Sequence, residues 1–174
     1  MKSFLIFTII LFSCGNQEQY EARWDSLDSR STPQWFKDAK FGIFIHWGLY
    51  SVPAWGPRGS YAEWYLNGLL NGDTARTEYH SKHYGEDFHY REFINLFNPT
   101  KYDPDRWANL FHKAGAKYIV LTSKHHDGFC LWPSEHSQGY NSVDGKANRD
   151  LLGDLNKAVK IRGMRSCLLY TSPS

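Results

Sequence analysis

Two short runs of the chain are apolar on successive residues. Residues 41–45 read FGIFI and residues 117–122 read KYIVLT. Strand side chains alternate between faces, so a run without polar alternation predicts a strand buried on both sides. Helical spacing follows each run. Asp103 suits an N-cap and Pro104 the first helical position. Trp107, Leu110, Phe111 and Ala114 then fall on one face, and Gly115 suits the position just past the helix. Further on, Leu151, Leu152, Leu155, Ala158 and Val159 make a second apolar face, which Gly163 ends. Shorter helical stretches are predicted after Pro33, at residues 61–70 (YAEWYLNGLL) and at residues 91–97, where Phe93, Ile94 and Phe97 share a face. Residues 71–90 (NGDTARTEYHSKHYGEDFHY) are polar without apolar periodicity and predict a long loop.

The resulting order is strand, long loop, helix, strand, long loop, helix. Apolar strands alternating with amphipathic helices predict an α/β fold with a parallel, helix-covered sheet. The strand-to-helix loops are long, whereas Ala114, Gly115 and Ala116 make a short return. That asymmetry is the pattern of a (β/α)8 TIM-like barrel. Such barrels take about 250 residues, so the fold class expected here is a partial barrel, about its first two βα units.

The ends read differently from the body. Lys2 precedes a nine-residue apolar run at 4–12, too short to cross a bilayer and suited to a cleaved signal peptide over residues 1–13. Residues 11–15 (LFSCG) resemble a lipoprotein cleavage box, which implies lipid on Cys14 and a polar tether over residues 14–32. Residues 167–174 (CLLYTSPS) resemble an in-frame translation of a sequencing adapter. Residues 166–174 are therefore expected to be a non-native tail, with regular structure ending at Arg165. Cys130 is then the one cysteine left in the body, so no disulfide framework is implied. A net charge of +2 over 174 residues argues against a nucleic-acid partner. The aromatic share of 17% fits a large core or a site that stacks against flat faces.

Polar groups collect where the strands end. His46 and Trp47 follow the first strand, with Glu63 and Trp64 beyond. His125, His126 and Asp127 follow the second, with Trp132 after them. Adjacent strand residues point to opposite faces, so His125 and His126 converge only if the chain has already left the strand. The HHD run lacks zinc-motif spacing, and no nucleophile elbow accompanies it. A single histidine at a strand end is most simply a packed, hydrogen-bonded one. Three imidazoles, a carboxylate and tryptophans together suit a sugar ring, which needs hydroxyl partners of both senses and a flat apolar cover.

FGIFIHWG, the EWY of residues 63–65, KYIVLTSKHHDGFCLWPS and NRDLLGDL together resemble the start of the family 29 glycoside hydrolases, the α-L-fucosidases. The resemblance runs over residues 33–165. It implies the N-terminal portion of a catalytic barrel that releases terminal α-linked L-fucose with retention. It also implies that His46, Glu63, His125 and His126 bind fucose hydroxyls, with Trp64 lining the same pocket. No position matches the family's nucleophilic aspartate or its acid/base, which are expected beyond Arg165. No cofactor or metal is implied, and the chain alone is expected to be inactive. The implied partner is a fucosylated glycan, with a lipid anchor to a membrane and an exported location. Two other readings stay open: a non-catalytic sugar-binding lipoprotein, and a metal-dependent hydrolase that uses the histidines.

Overall fold

The computed structural model describes residues 20–171. The signal-peptide stretch, Cys14 and residues 172–174 lie outside the described residues. The chain divides into two units, Met1–Lys37 and Asp38–Ser174. In the first, a short helix α1 (Trp24–Asp28) buries no residue. Arg23 pairs there with Glu21 and Asp25 at 2.7 and 2.5 Å. Helix α2 (Gln34–Ala39) follows where Pro33 predicts one.

The second unit holds the sheet. Strands β1 (Gly42–Ile45), β2 (Tyr118–Lys124) and β3 (Arg165–Tyr170) pair in parallel, in the order β1-β2-β3. Ile43 aligns with Ile119, and Ile45 with Leu121. These four face the helix layer, where they meet Ala108, Leu155, Ala158 and Val159. Helix α5 (Pro104–Lys113) carries the chain back from β1 to β2, and α6 (Leu151–Ile161) from β2 to β3. Arg162 Nη1 donates to Asp105 Oδ1 at 2.9 Å, tying the two together.

Local signals act as the sequence predicts at several points. The Asp103 side chain accepts the Arg106 amide at 2.9 Å and Pro104 opens α5. Gly115 and Gly163 take positive φ of 89° and 72° just past their helices, a conformation that suits glycine. Gly42 has a different role. A Cβ there would fall 2.3 Å from the Tyr118 ring on the neighbouring strand, so the ring lies where a side chain would be.

Five expectations need correction. First, β1 is not buried on both faces, since Phe44 is 59% exposed. The helices cover one face of the sheet, and Phe44 aligns with Val120 and Cys167 on the other. Second, the buried stripe of α5 is rotated from the predicted one. Ala108 is buried with Trp107 and Phe111 packed beside it, whereas Leu110 is 63% exposed and Ala114 is exposed. A small Ala at the centre of the contact lets the helix approach the sheet. Third, regular structure does not end at Arg165. The turn at Gly163 leads into β3, whose Cys167 and Leu168 align with Val120 and Leu121. An apolar CLLY run beside a buried strand completes a ladder of backbone hydrogen bonds. Fourth, residues 91–97 form a 3-10 stretch (Tyr90–Asn95) rather than an α-helix, although Phe93 and Phe97 are buried as expected.

Fifth, the predicted loop at residues 71–90 contains helix α4 (Thr74–Tyr84), capped by the Asp73 side chain. Its inward positions are Arg76, Tyr79, His80 and Tyr84, at i, i+3, i+4 and i+8. Arg76 and His80 are buried, and Tyr79 stacks on Trp55 at 4.2 Å and on His83 at 4.0 Å. The His80 ring nitrogens meet Tyr65 Oη at 3.1 Å and the Phe88 carbonyl at 2.7 Å. The inner face is polar and aromatic, so apolar periodicity does not find it. Much of the aromatic content goes into this part of the core, where Tyr65, Tyr90 and Phe93 are buried.

Burial separates the helix positions sharply. Leu155→Ala in α6 should lower unfolding free energy by about 2–5 kcal/mol, and Leu110→Ala by less than about 0.5 kcal/mol. Urea denaturation of the two variants checks this, and equal losses would contradict the rotated face of α5.

Candidate functional site

Strand β2 ends at Lys124, and the chain turns at once. The β2–β3 register is irregular between Thr122 and Lys124. Lys124 bridges to Cys130 in antiparallel sense, so the chain doubles back within six residues. The Gly128 amide donates to the His125 carbonyl at 3.0 Å, and Gly128 has φ of 77°. Asp127 Oδ1 accepts the Phe129 amide at 3.1 Å. The histidines have therefore left the strand, and their rings meet edge to face, 5.0 Å apart at 88°.

Around this pair the structure gathers the other predicted residues. His46, just past β1, lies 6.0 Å from the His125 ring. A 3-10 turn at Ala62–Trp64 presents Glu63 and Trp64. The Trp64 ring tilts over His126 at 5.1 Å and remains 40% exposed. The Glu63 charge is felt at both His125 and Tyr50. His46, Trp64, His125 and His126 thus form one chain of rings, with Glu63 beside it.

Trp47, Asp127 and Trp132 take other positions. Trp47 packs inward against Tyr102, Trp107 and Phe97 at 5.1, 5.5 and 5.6 Å. Asp127 lies under the histidines and accepts the Tyr90 hydroxyl at 2.7 Å. Trp132 borders an apolar cavity of about 1630 Å³ beside the ends of β2 and β3. Leu66, Leu69, Phe88, Tyr140 and Leu168 also line that cavity, and none of the five clustered residues does. This cavity and the clustered chemistry therefore fall in different places. The ring cluster is the candidate site, because His46, His125, His126, Trp64 and Glu63 converge there.

Tyr50 and Tyr90 belong to the site and were not singled out by sequence reasoning. A 3-10 turn (Leu49–Ser51) folds Tyr50 back until its ring is 5.2 Å from His125. That loop has no periodicity to reveal it, and Tyr90 reaches Asp127 across 37 positions of sequence. The Tyr50 hydroxyl and His125 Nδ1 are buried without a hydrogen-bond partner among the described residues.

Electrostatics follow from burial. Desolvation pushes the His125 imidazole below its ordinary value; His126 and His46 push the same way, and Glu63 opposes them. Desolvation raises the Tyr50 hydroxyl, with the Asp127 and Glu63 charges adding to it. Burial also raises the Asp127 carboxyl, against hydrogen bonds from Tyr90 and the Phe129 amide that favour its charged form. Neutral His125 can donate through one nitrogen and accept at the other. Among the described residues, no group of three or more His, Cys, Asp or Glu side chains is arranged to hold a metal ion. No helix of the described residues is long and apolar enough to cross a membrane.

The sequence profile of one family, alpha-L-fucosidase, matches residues 9–174. The chain belongs to the α-L-fucosidase family. The match continues past Arg165, where the resemblance of the motifs ends. Alpha-L-fucosidase of Dictyostelium discoideum is 44% identical over 175 residues, covering 98% of this chain and 38% of the relative. Human tissue alpha-L-fucosidase is 44% identical over 153 residues, covering 88% and 32%. The crystal structure of Thermotoga maritima alpha-fucosidase in complex with fucose superposes with a TM-score of 0.81 at 50% identity, covering 88% of this chain and 37% of that one. An alpha-L-fucosidase from Bacteroides thetaiotaomicron gives 0.64 at 33%, covering 81% and 30%. The chain therefore spans about a third of the length of these α-L-fucosidases.

The folded-state value of His125 lies below its unfolded value of about 6.5. As pH falls through that window the unfolded chain binds the proton first, so His125 costs stability on acidification. Asp127, raised in the folded state, has the opposite sign and gains stability as pH falls toward its unfolded value of about 3.9. Stability measured by urea unfolding should thus fall between pH 7 and pH 5.5, and fall less in His125→Asn. An equal slope in wild type and variant would refute the buried neutral imidazole.

Proposed function

We propose that this chain is the N-terminal part of the (β/α)8 catalytic barrel of an exported, lipid-anchored, retaining exo-α-L-fucosidase. In this reading its ring cluster supplies part of the fucose pocket. The observation that carries it is the convergence of His46, His125, His126 and Trp64, with Glu63 adjoining. Imidazoles and a carboxylate offer donors and acceptors to ring hydroxyls, and the exposed Trp64 face covers the C–H side. The buried Tyr50 hydroxyl and His125 Nδ1 have hydrogen-bonding capacity to spare for such a ligand. The likeness to the fucose-bound T. maritima enzyme supports the same substrate class. The three parallel strands with helices between them are what the start of a barrel requires.

Retaining hydrolysis uses two carboxyl groups about 5–5.5 Å apart, one as nucleophile and one as acid/base. Asp127 is committed to Tyr90 and the Phe129 amide, which makes it a support for the turn. Glu63 sits among the imidazoles as a hydroxyl acceptor. The nucleophile and acid/base accordingly belong to polypeptide beyond this chain. Export and the anchor at Cys14 rest on the apolar run and LFSCG motif of the N-terminus.

Two measurements test the reading. The 174-residue chain should release no nitrophenol from an aryl α-L-fucoside, whereas polypeptide extended to the length of its relatives should. Robust turnover by the short chain would show that the carboxylates have been misplaced. In the extended protein, His125→Ala or His126→Ala should lower kcat/KM by about 10- to 100-fold, the loss of one or two hydrogen bonds. EDTA should leave the rate unchanged. Inhibition by EDTA that zinc reverses would favour a metal-dependent hydrolase, and fucose binding without turnover in the extended protein would favour a sugar-binding lipoprotein.

A further inference from the structure

The turn that presents Glu63 and Trp64 is short, three residues long. It is a single 3-10 turn, and no side chain caps its start. Its first bond runs from the Trp64 amide to the Tyr61 carbonyl at 3.3 Å. The same carbonyl accepts a second bond, from Arg76 Nη2 on α4 at 3.0 Å. Arg76 Nη2 also donates to Ser60 Oγ. Arg76 is 1% exposed, the largest fully buried side chain among the described residues.

An arginine is rarely so buried unless its charge is offset. Here Asp73 Oδ2 lies 3.2 Å from Nε, and Asp73 also caps α4 through the Arg76 amide. Arg76 Nε and Nη1 have no well-aligned hydrogen bond, so the guanidinium's firm hydrogen bonds are those to residues 60 and 61. Space for the side chain comes from Gly68 of α3 (Tyr65–Leu70), where a Cβ would fall 2.3 Å from Arg76 Cδ. One turn further along α4, Tyr79 stacks on Trp55 at 4.2 Å and 7°. The loop before Glu63 is thus held at two points by one helix.

We propose that Arg76 is a positioning residue for Glu63 and Trp64. Its Nη2 fixes the carbonyl that starts their turn, and so sets where the Trp64 ring lies over His126. The consequence for sugar binding rests on the fucose-pocket reading; the placement itself does not.

Trp64 reports its own position through the His126 ring, 5.1 Å away. In the 174-residue chain, the His126 ring-proton resonance should move in Arg76→Met toward its position in Trp64→Leu. Added guanidinium should return Arg76→Ala toward wild type. Arg76→Lys keeps the charge near Asp73, but its ammonium ends one bond short of the Nη2 position, and it should behave like Arg76→Met. Ser60→Ala covers the case in which the Arg76 variants do not fold, since Ser60 is exposed and loses one acceptor only. Amide exchange at residues 62–64 should then quicken about tenfold, with exchange in α6 unchanged. A wild-type His126 resonance in folded Arg76→Met, or wild-type exchange in Ser60→Ala, would overturn the proposal. Added L-fucose separates the two readings: it should shift His126 in wild type and not in Glu63→Gln. A wild type blind to L-fucose sinks the fucose reading, and the His126 resonance of Arg76→Met still decides the placement.

Discussion

Asp127 receives two hydrogen bonds, one from the Phe129 amide two residues along and one from the Tyr90 hydroxyl at the start of a 3-10 stretch far away in sequence. The first bends the chain as it leaves β2, and the second fastens the bend to the aromatic core. Without that bend, His125 and His126 would continue the strand and face opposite sides of the sheet. With it, two neighbouring imidazoles share one side, within reach of the histidine that ends β1. The carboxyl is partly buried, so its hydrogen bonds carry more weight than exposed ones would, and losing either would leave a poorly satisfied polar group.

The sheet and the site depend on different kinds of information. Ile43, Ile45, Ile119 and Leu121 are set by pattern: apolar runs flanked by amphipathic helices admit few arrangements other than a parallel ladder. The cluster at the strand ends is set by loops, whose paths no periodicity describes. The five candidate residues were legible because their residue types stand at the ends of two recognisable strands. Tyr50 and Tyr90 were not, because each arrives by a non-local turn. The α5 stripe shows a subtler failure. Leu110 matches the apolar spacing, yet the small Ala108 occupies the contact, because close approach of helix to sheet favours little volume there.

Helix α4 marks the limit of apolar pattern reading most clearly. Its inward face is Arg76, Tyr79, His80 and Tyr84, which a hydropathy scale treats as surface. Its spacing is helical all the same, and its bounds carry helix punctuation: Asp73 at the start and Gly85 at the end. Counting aromatic and hydrogen-bonding residues at i, i+3, i+4 and i+8 would have found it. Such a face buys specificity of placement that a greasy one lacks, since stacked rings and directed hydrogen bonds tolerate less sliding than aliphatic contact does.

The contact between Gly42 and Tyr118 bears on how this sheet can change over evolutionary time. The ring of one strand fills the space that a side chain on the other would need. Volume is therefore a property of the pair, not of either position. A larger residue at 42 becomes admissible only together with a smaller or differently directed one at 118. The first two strands are in this sense spelled jointly, with part of the identity of β1 written in β2.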